Sequence, residues 1–246
     1  MKKIERMALT AVMFMAGATG MTAQDKVEAT IQADIVNQYI WRGLDLGNPS
    51  IQPTLGIGYK GLYFGAWGNY GFTDSNDTKE FDLTLSYTKG GFSVGVTDYW
   101  FNQNGANPEY DGKYFVYNAH RTAHVFEAFL GYDFGPVSLN WYTNFAGNDG
   151  INKSGKRAYS SYCEINAPFK LATCDWNATL GFVPYTTSFY AGDKDYAGFS
   201  VTNVAIKATK DIKITDSFSL PLFASVIANP FLEKAYFVFG MTLKAF

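Results

Sequence analysis

The residues most able to do chemistry are two histidines, two cysteines and a scatter of carboxylates. His120 and His124 are four apart at a loop-to-strand junction. On a helix that spacing could hold zinc; on a strand it leaves them on one face about 13 Å apart. No carboxylate-flanked metal motif surrounds them, so they read as rim histidines and no metal is expected. Hydrolysis at a lipid surface would require a serine beside His124 and a group to orient the ring. No GxSxG-like element is present, and nothing fixes a serine partner. No catalytic residue, cofactor or enzymatic activity is expected. Cys163 and Cys174 flank Pro168-Phe169. A turn centred there would set them opposite each other, either as a disulfide in an oxidising compartment or as two free outward thiols. Their role is structural in both cases.

The charges fall on one side of an alternating pattern. Counted by parity along the strands described below, Glu28, Asp34, Arg42, Lys60, Asp82, Glu127, Asp133, Glu164, Asp175 and Lys207 share the polar face. Acidic residues outnumber basic ones in that set. Around a pore such carboxylates favour cations. Alternatively, the charges pair across the interior and fill it. Arg42, Asp82, Glu127, Asp133 and Asp175 are the lumen-lining candidates.

The elements that position them are strands. In residues 60–102, Leu62, Phe64, Ala66, Gly68, Tyr70 and Phe72 take one face of a first strand. Phe81, Leu83, Leu85 and Tyr87 take one face of the next, opposite Asp82, Thr84, Ser86 and Thr88. A third carries Phe92, Val94, Val96 and Trp100, with Asp98 as the exception. Side chains alternate across a strand, so one sheet face is apolar and the other wet. The pattern recurs to give twelve strands, the first over 27–42, the eighth over about 158–167 and the last over 235–246. Turns after even-numbered strands are short, and those after odd-numbered strands tend to be long and polar. An even count with that alternation predicts an all-β, transmembrane antiparallel up-and-down β-barrel with short periplasmic turns. A soluble all-β sandwich would also alternate, but its polar face would not carry so many Asp, Glu and Asn.

Composition agrees. Aromatics at 17% and 24 glycines suit strands, turns and interfacial girdles, and a mean hydropathy of −0.10 excludes a bundle of membrane helices. Residues 1–24 read as a signal peptide: a basic MKKIERM, an apolar ALTAVMFMAGATG and small residues before Gln24. The barrel is then residues 25–246. Removing the leader takes away Lys2, Lys3 and Arg6 against Glu5 and moves the formal charge from −2 to −4. That mildly acidic body gives no support for nucleic-acid binding.

The segment 37–70, NQYIWRGLDLGNPSIQPTLGIGYKGLYFGAWGNY, resembles the TorF-type porins, also labelled a Gcw-type conserved outer-membrane family of unknown function. The likeness lies in the aromatic-Arg-Gly element Tyr39, Trp41, Arg42 and Gly43, in Pro49 to Gln52, and in Gly61 to Trp67. Glu80, Asp82 and Asp98-Tyr99 add to it. It covers about the first hundred residues well and the rest by architecture. It implies a barrel of the bacterial cell outer membrane with a channel role, and it supplies no substrate. One departure concerns the C-terminus. Phe246 is one residue out of step with the apolar set Phe237, Phe239, Met241 and Leu243, a lapse that a bulge near Gly240 would repair.

The expected function is a porin-like channel for passive diffusion of small hydrophilic solutes, weakly cation-preferring. The alternative is a plugged barrel acting as a structural or surface-interaction protein. Expected partners are outer-membrane lipid, the barrel-assembly machinery and small hydrophilic solutes. The long loop 103–121 has two readings: an outer aromatic girdle, which is preferred, and an inward-folded constriction with Tyr110, Tyr114 and Tyr117 as its stacking surface.

Overall fold

The computed structural model describes residues 26–73, 77–102, 108–119, 121–191, 194, 198–216 and 218–245. The leader, His120 and Phe246 lie outside the described residues.

Twelve strands among the described residues close into one antiparallel barrel: β1 (Glu28–Val36), β4 (Ser50–Tyr59), β5 (Leu62–Gly71), β6 (Glu80–Lys89), β7 (Phe92–Phe101), β8 (His124–Asp133), β9 (Ser138–Gly147), β10 (Ser161–Leu171), β11 (Cys174–Val183), β12 (Ser200–Lys213), β13 (Ser219–Asn229) and β14 (Lys234–Lys244). Each pairs with its chain neighbour, and β1 closes on β14 with Gln32 opposite Lys244 and Val36 opposite Gly240. Two short strands, β2 (Tyr39–Trp41) and β3 (Leu44–Gly47), form a separate hairpin outside this ring.

Alternation sorts the side chains as the pattern predicts. Leu55, Phe64, Leu85, Val96, Leu130 and Leu180 are each about half exposed on the outer wall, while Thr54, Asn69, Asp82, Thr97 and Glu127 are buried inside. Most barrel strands are ten or eleven residues long, enough to cross a hydrocarbon layer at a tilt. An apolar exterior around a closed polar interior has its stable solvent in lipid, because closure leaves the sheet no open edge. The molecule is therefore an outer-membrane barrel. Leu85 stands mid-strand between Phe64 and Val96. Leu85→Arg is expected to cost about 2–4 kcal/mol of folding free energy in bilayers. Urea titration of vesicle-refolded protein checks this.

The three strand prolines sit where the ladder can spare an amide. The β10–β9 ladder ends at Asn166, before Pro168, and the β13–β14 ladder begins at Leu222, after Pro221. At Pro53 the β4–β5 register is interrupted between Ile51 and Thr54. Pro168 therefore does not end its strand. β10 runs on to Leu171 and turns at 172–173, which corrects the turn placed at Pro168-Phe169. The shift moves both cysteines: Cys163 pairs with Phe182, and Cys174 with Leu171. Eight residues, or about 27 Å of strand, separate them. Both are free thiols, and the disulfide alternative is excluded. At the other closing edge the register passes through Gly240 without a bulge.

Candidate functional site

The first predicted strand is too long at its end. The wall strand stops at Val36, because Asn37 takes over the edge of β14. Its backbone N–H donates to the Phe239 carbonyl (3.1 Å), its side-chain amide donates to the Phe237 carbonyl (3.1 Å), and its side-chain oxygen accepts from the Phe239 N–H (2.7 Å). With the ladder satisfied by a side chain, the backbone leaves the wall and enters the lumen. Tyr39, Ile40 and Trp41 are then all buried, on every side of β2, so they show no strand period.

The turn between β2 and β3 is Arg42-Gly43, both with positive φ (50° and 79°). That is the two-residue geometry whose twist matches a hairpin. Only glycine fits at 43: a Cβ there would stand 1.9 Å from the Thr202 carbonyl oxygen. The Asn229 side-chain amide donates to the Gly43 carbonyl at 3.0 Å, fixing the tip against β13.

From that tip Arg42 spans the barrel. Its Nη1 and Nη2 donate to Glu127 Oε2 and Oε1 at 2.6 and 2.9 Å, and Nη1 also donates to the Tyr190 hydroxyl at 2.8 Å. Glu127 is on β8, almost diametrically opposite β1 in the ring. The guanidinium carbon lies 4.1 Å from the Tyr142 ring centroid, 4.4 Å from Trp41 and 4.6 Å from Tyr162. Burial opposes the charge on Arg42, but Glu127, Tyr190 and Tyr99 together outweigh it and hold the guanidinium pKa well above its ordinary value. Two further contacts widen the anchor. Tyr99 donates to Glu127 Oε1 at 2.8 Å, and Tyr39 donates to Glu80 Oε2 at 3.0 Å. Asp82 lies beside Glu80 on the same inner face, 1% exposed.

The fifth long loop closes over the hairpin. Its short helix α1 (Ser188–Ala191) brings Phe189 and Tyr190 against Trp41, with ring centroids 5.9 and 6.2 Å away. Burial raises the Tyr190 phenol well above its usual range, with Arg42 pulling the other way. Thr187 is tied to Ser160 of the preceding loop at 2.6 Å, and Lys194 to Glu233 of the last loop at 2.8 Å. The hairpin leaves a cavity of about 100 Å³ between β2 and the inner wall from β9 round to β4.

The predicted site residues separate into groups. Arg42 and Glu127 meet, and Asp82 lies near them. Asp133 is at the opposite end of the barrel, exposed and accepting from the Gly135 N–H, and Asp175 pairs there with Lys170 at 2.6 Å. These two cap turns at the rim instead of lining the narrow part. Of the loop 103–121, residues 103–107 and 120 lie outside the described residues, and the candidate tyrosines of the described part do not form the constriction. Tyr114 packs against Phe81 and Trp100, and Tyr117 stacks on His124 at 4.3 Å and lies near Phe126, all on the outer wall. The apolar strand face draws these rings outward into the girdle. Tyr110 is held within the loop by Arg121 Nε, which donates to its hydroxyl at 2.9 Å.

Asp98, the exception on the apolar face, has its partner there. Its Oδ1 is 2.7 Å from His124 Nδ1, while Nε2 faces the Tyr114 carbonyl at 2.5 Å. Both ring nitrogens are occupied and neither faces a serine. Among the described residues no cluster of His, Cys, Asp or Glu is arranged to hold a metal.

A closed lipid-facing barrel with a loop folded into a charged lumen defines an outer-membrane protein of porin-like class. The chain belongs to the family described as "Putative MetA-pathway of phenol degradation", whose model matches residues 27–156. No curated protein sequence matches the chain. A solved outer membrane channel from Pseudomonas putida F1 is similar at 15% identity and a TM-score of 0.41, over 91% of this chain and 97% of that one.

Proposed function

We propose that the protein is a narrow passive channel for small hydrophilic solutes, with a weak preference for cations and an aperture set by the β2–β3 hairpin. The observation that carries this reading is the Arg42–Glu127 pair, which ties a chain segment across a lumen that keeps a cavity beside it, lined by charged and apolar side chains together. With Arg42 and Glu127 cancelling each other, Asp34, Glu80, Asp82 and Glu164 stand against Lys207 on the inner wall. That acidic excess favours cations. No chemistry is required of any residue, and the protein is not an enzyme in this reading. A leader over residues 1–24 and delivery by the barrel-assembly machinery complete it.

The same hairpin favours a second reading, a plugged barrel whose roofed loops bind a surface partner. Planar-bilayer recording of refolded protein under a potassium chloride gradient separates the two. The channel reading expects small, steady conductance steps and a reversal potential on the potassium side. It also expects Asp34→Asn with Asp82→Asn to move that potential toward zero. A folded barrel silent both as wild type and with its hairpin removed would leave the plugged reading.

A further inference from the structure

The cavity beside the hairpin holds two opposite charges that do not pair. Of the four charged side chains lining it, two are already committed. Arg42 is locked to Glu127, and both oxygens of Glu164 accept, from Tyr162 at 2.8 Å and Asn166 at 2.7 Å. Asp34 and Lys207 remain. Asp34 is 6% exposed, and its Oδ1 has no hydrogen-bond partner. Its carboxylate does interact with Thr242. Lys207 feels Asp34 electrostatically, yet among the described residues its Nζ makes no ion pair, and it rests 4.0 Å from the Phe223 ring centroid. Asn203, on the same strand as Lys207, donates to Tyr162 at 3.1 Å but leaves its buried Oδ1 without a donor.

Buried polar atoms without partners are costly unless something fills them. Here Asp34, Asn203 and Lys207 line a single space, bordered by an apolar wall of Ile40, Phe223, Ile227 and Val238. A solute anion would be opposed by Asp34, and a solute cation by Lys207. A dipolar solute is opposed by neither. We infer that this cavity is a binding station for a small zwitterion, an α-amino acid with an apolar side chain. Its carboxylate meets Lys207, its ammonium meets Asp34 and Asn203, and its side chain lies on Phe223 and Ile227. This rests on the channel reading and adds the solute class to it.

The test is calorimetric titration of the refolded protein with L-leucine, with 4-methylpentanoate (no ammonium) and with 3-methylbutylamine (no carboxylate). Leucine is expected to bind saturably, and each monopolar analogue about tenfold or more weaker, since each lacks one charge-assisted contact. Lys207→Met and Asp34→Asn should each weaken leucine by a similar factor, and Lys207→Arg should keep part of the affinity. Heat-modifiable gel mobility confirms that each variant is folded. No saturable leucine binding to a folded barrel, equal binding of all three probes, or binding indifferent to both variants would overturn the inference. A barrel that conducts but does not bind leucine sinks this inference alone. One that binds leucine yet never conducts sinks the channel reading and leaves the site.

Discussion

Glu127→Ala is expected to raise single-channel conductance several-fold and to make it noisy. Among the described residues Glu127 is the one carboxylate that Arg42 reaches, and the substitution removes it together with the acceptor of the Tyr99 hydroxyl's bond. Leaving one member of a buried ion pair uncompensated costs about 3–5 kcal/mol. The cost falls on the seated hairpin, because Arg42 regains water only if the hairpin lifts. The wall itself should hold: β8 keeps its register on both sides, and the outer face of the strand is untouched. The expected signature is therefore a larger, flickering pore with unchanged gel mobility, whereas Glu127→Gln keeps two acceptor atoms and should have the smaller effect. A variant that conducts like wild type would show that the pair does not hold the aperture.

Gly43→Ala should have a comparable effect without altering any charge. The backbone conformation at residue 43 lies in the left-handed region, which costs an L-residue about 1–2 kcal/mol. The larger obstacle is space. The nearest atom to a new Cβ is a backbone oxygen of β12, 1.9 Å away, and it cannot rotate aside as a side chain could. The hairpin tip must lift or the Asn229 contact must break, so the aperture is expected to widen with the reversal potential unchanged. Paired conductance and reversal-potential recordings separate this from the Glu127 variant, which also removes a carboxylate. An alanine variant indistinguishable from wild type in conductance would mean that the tip is not seated against Thr202.

Much of this was legible in the sequence, for a physical reason. Where a strand has lipid on one side and water on the other, the period of two appears, and β5, β6, β11 and β14 follow it, while β7 departs from it at Asp98. Asp98 looked like an error in the pattern because its partner, His124, comes from the adjacent strand, and a single strand's alternation carries no information about pairing. Pro168 looked like a turn because the sequence does not show that its neighbouring strand has already ended. The hairpin was hidden for a related reason. Tyr39, Ile40 and Trp41 are enclosed on all sides, so no alternation marks them, and Arg42 was assigned to the lumen through strand parity although it arrives on an inserted turn. The signal that was present is three large apolar residues in a row, followed by Arg-Gly, at the point where alternation stops. Glu80, Tyr99, Tyr142, Tyr162 and Tyr190, the other residues around the constriction, come from distant strands and one loop. Only closure of the barrel brings them together. The aromatic content of the loop at 103–121 admitted two readings, since rings that can stack on a solute in a pore can equally stack on an apolar wall; Tyr114 and Tyr117 take the wall, as the girdle reading expects.

The most direct test of the central claim is to record single-channel conductance side by side for the refolded protein and for a variant in which Tyr39–Gly47 is replaced by a short Gly-Ser turn. If the hairpin crosses the lumen and sets its aperture, the shortened barrel conducts several-fold more than the intact one and keeps its cation preference. Equal conductance in two barrels of equal gel mobility would contradict the account, because the segment that Arg42 ties to Glu127 would then not lie in the path of the ions.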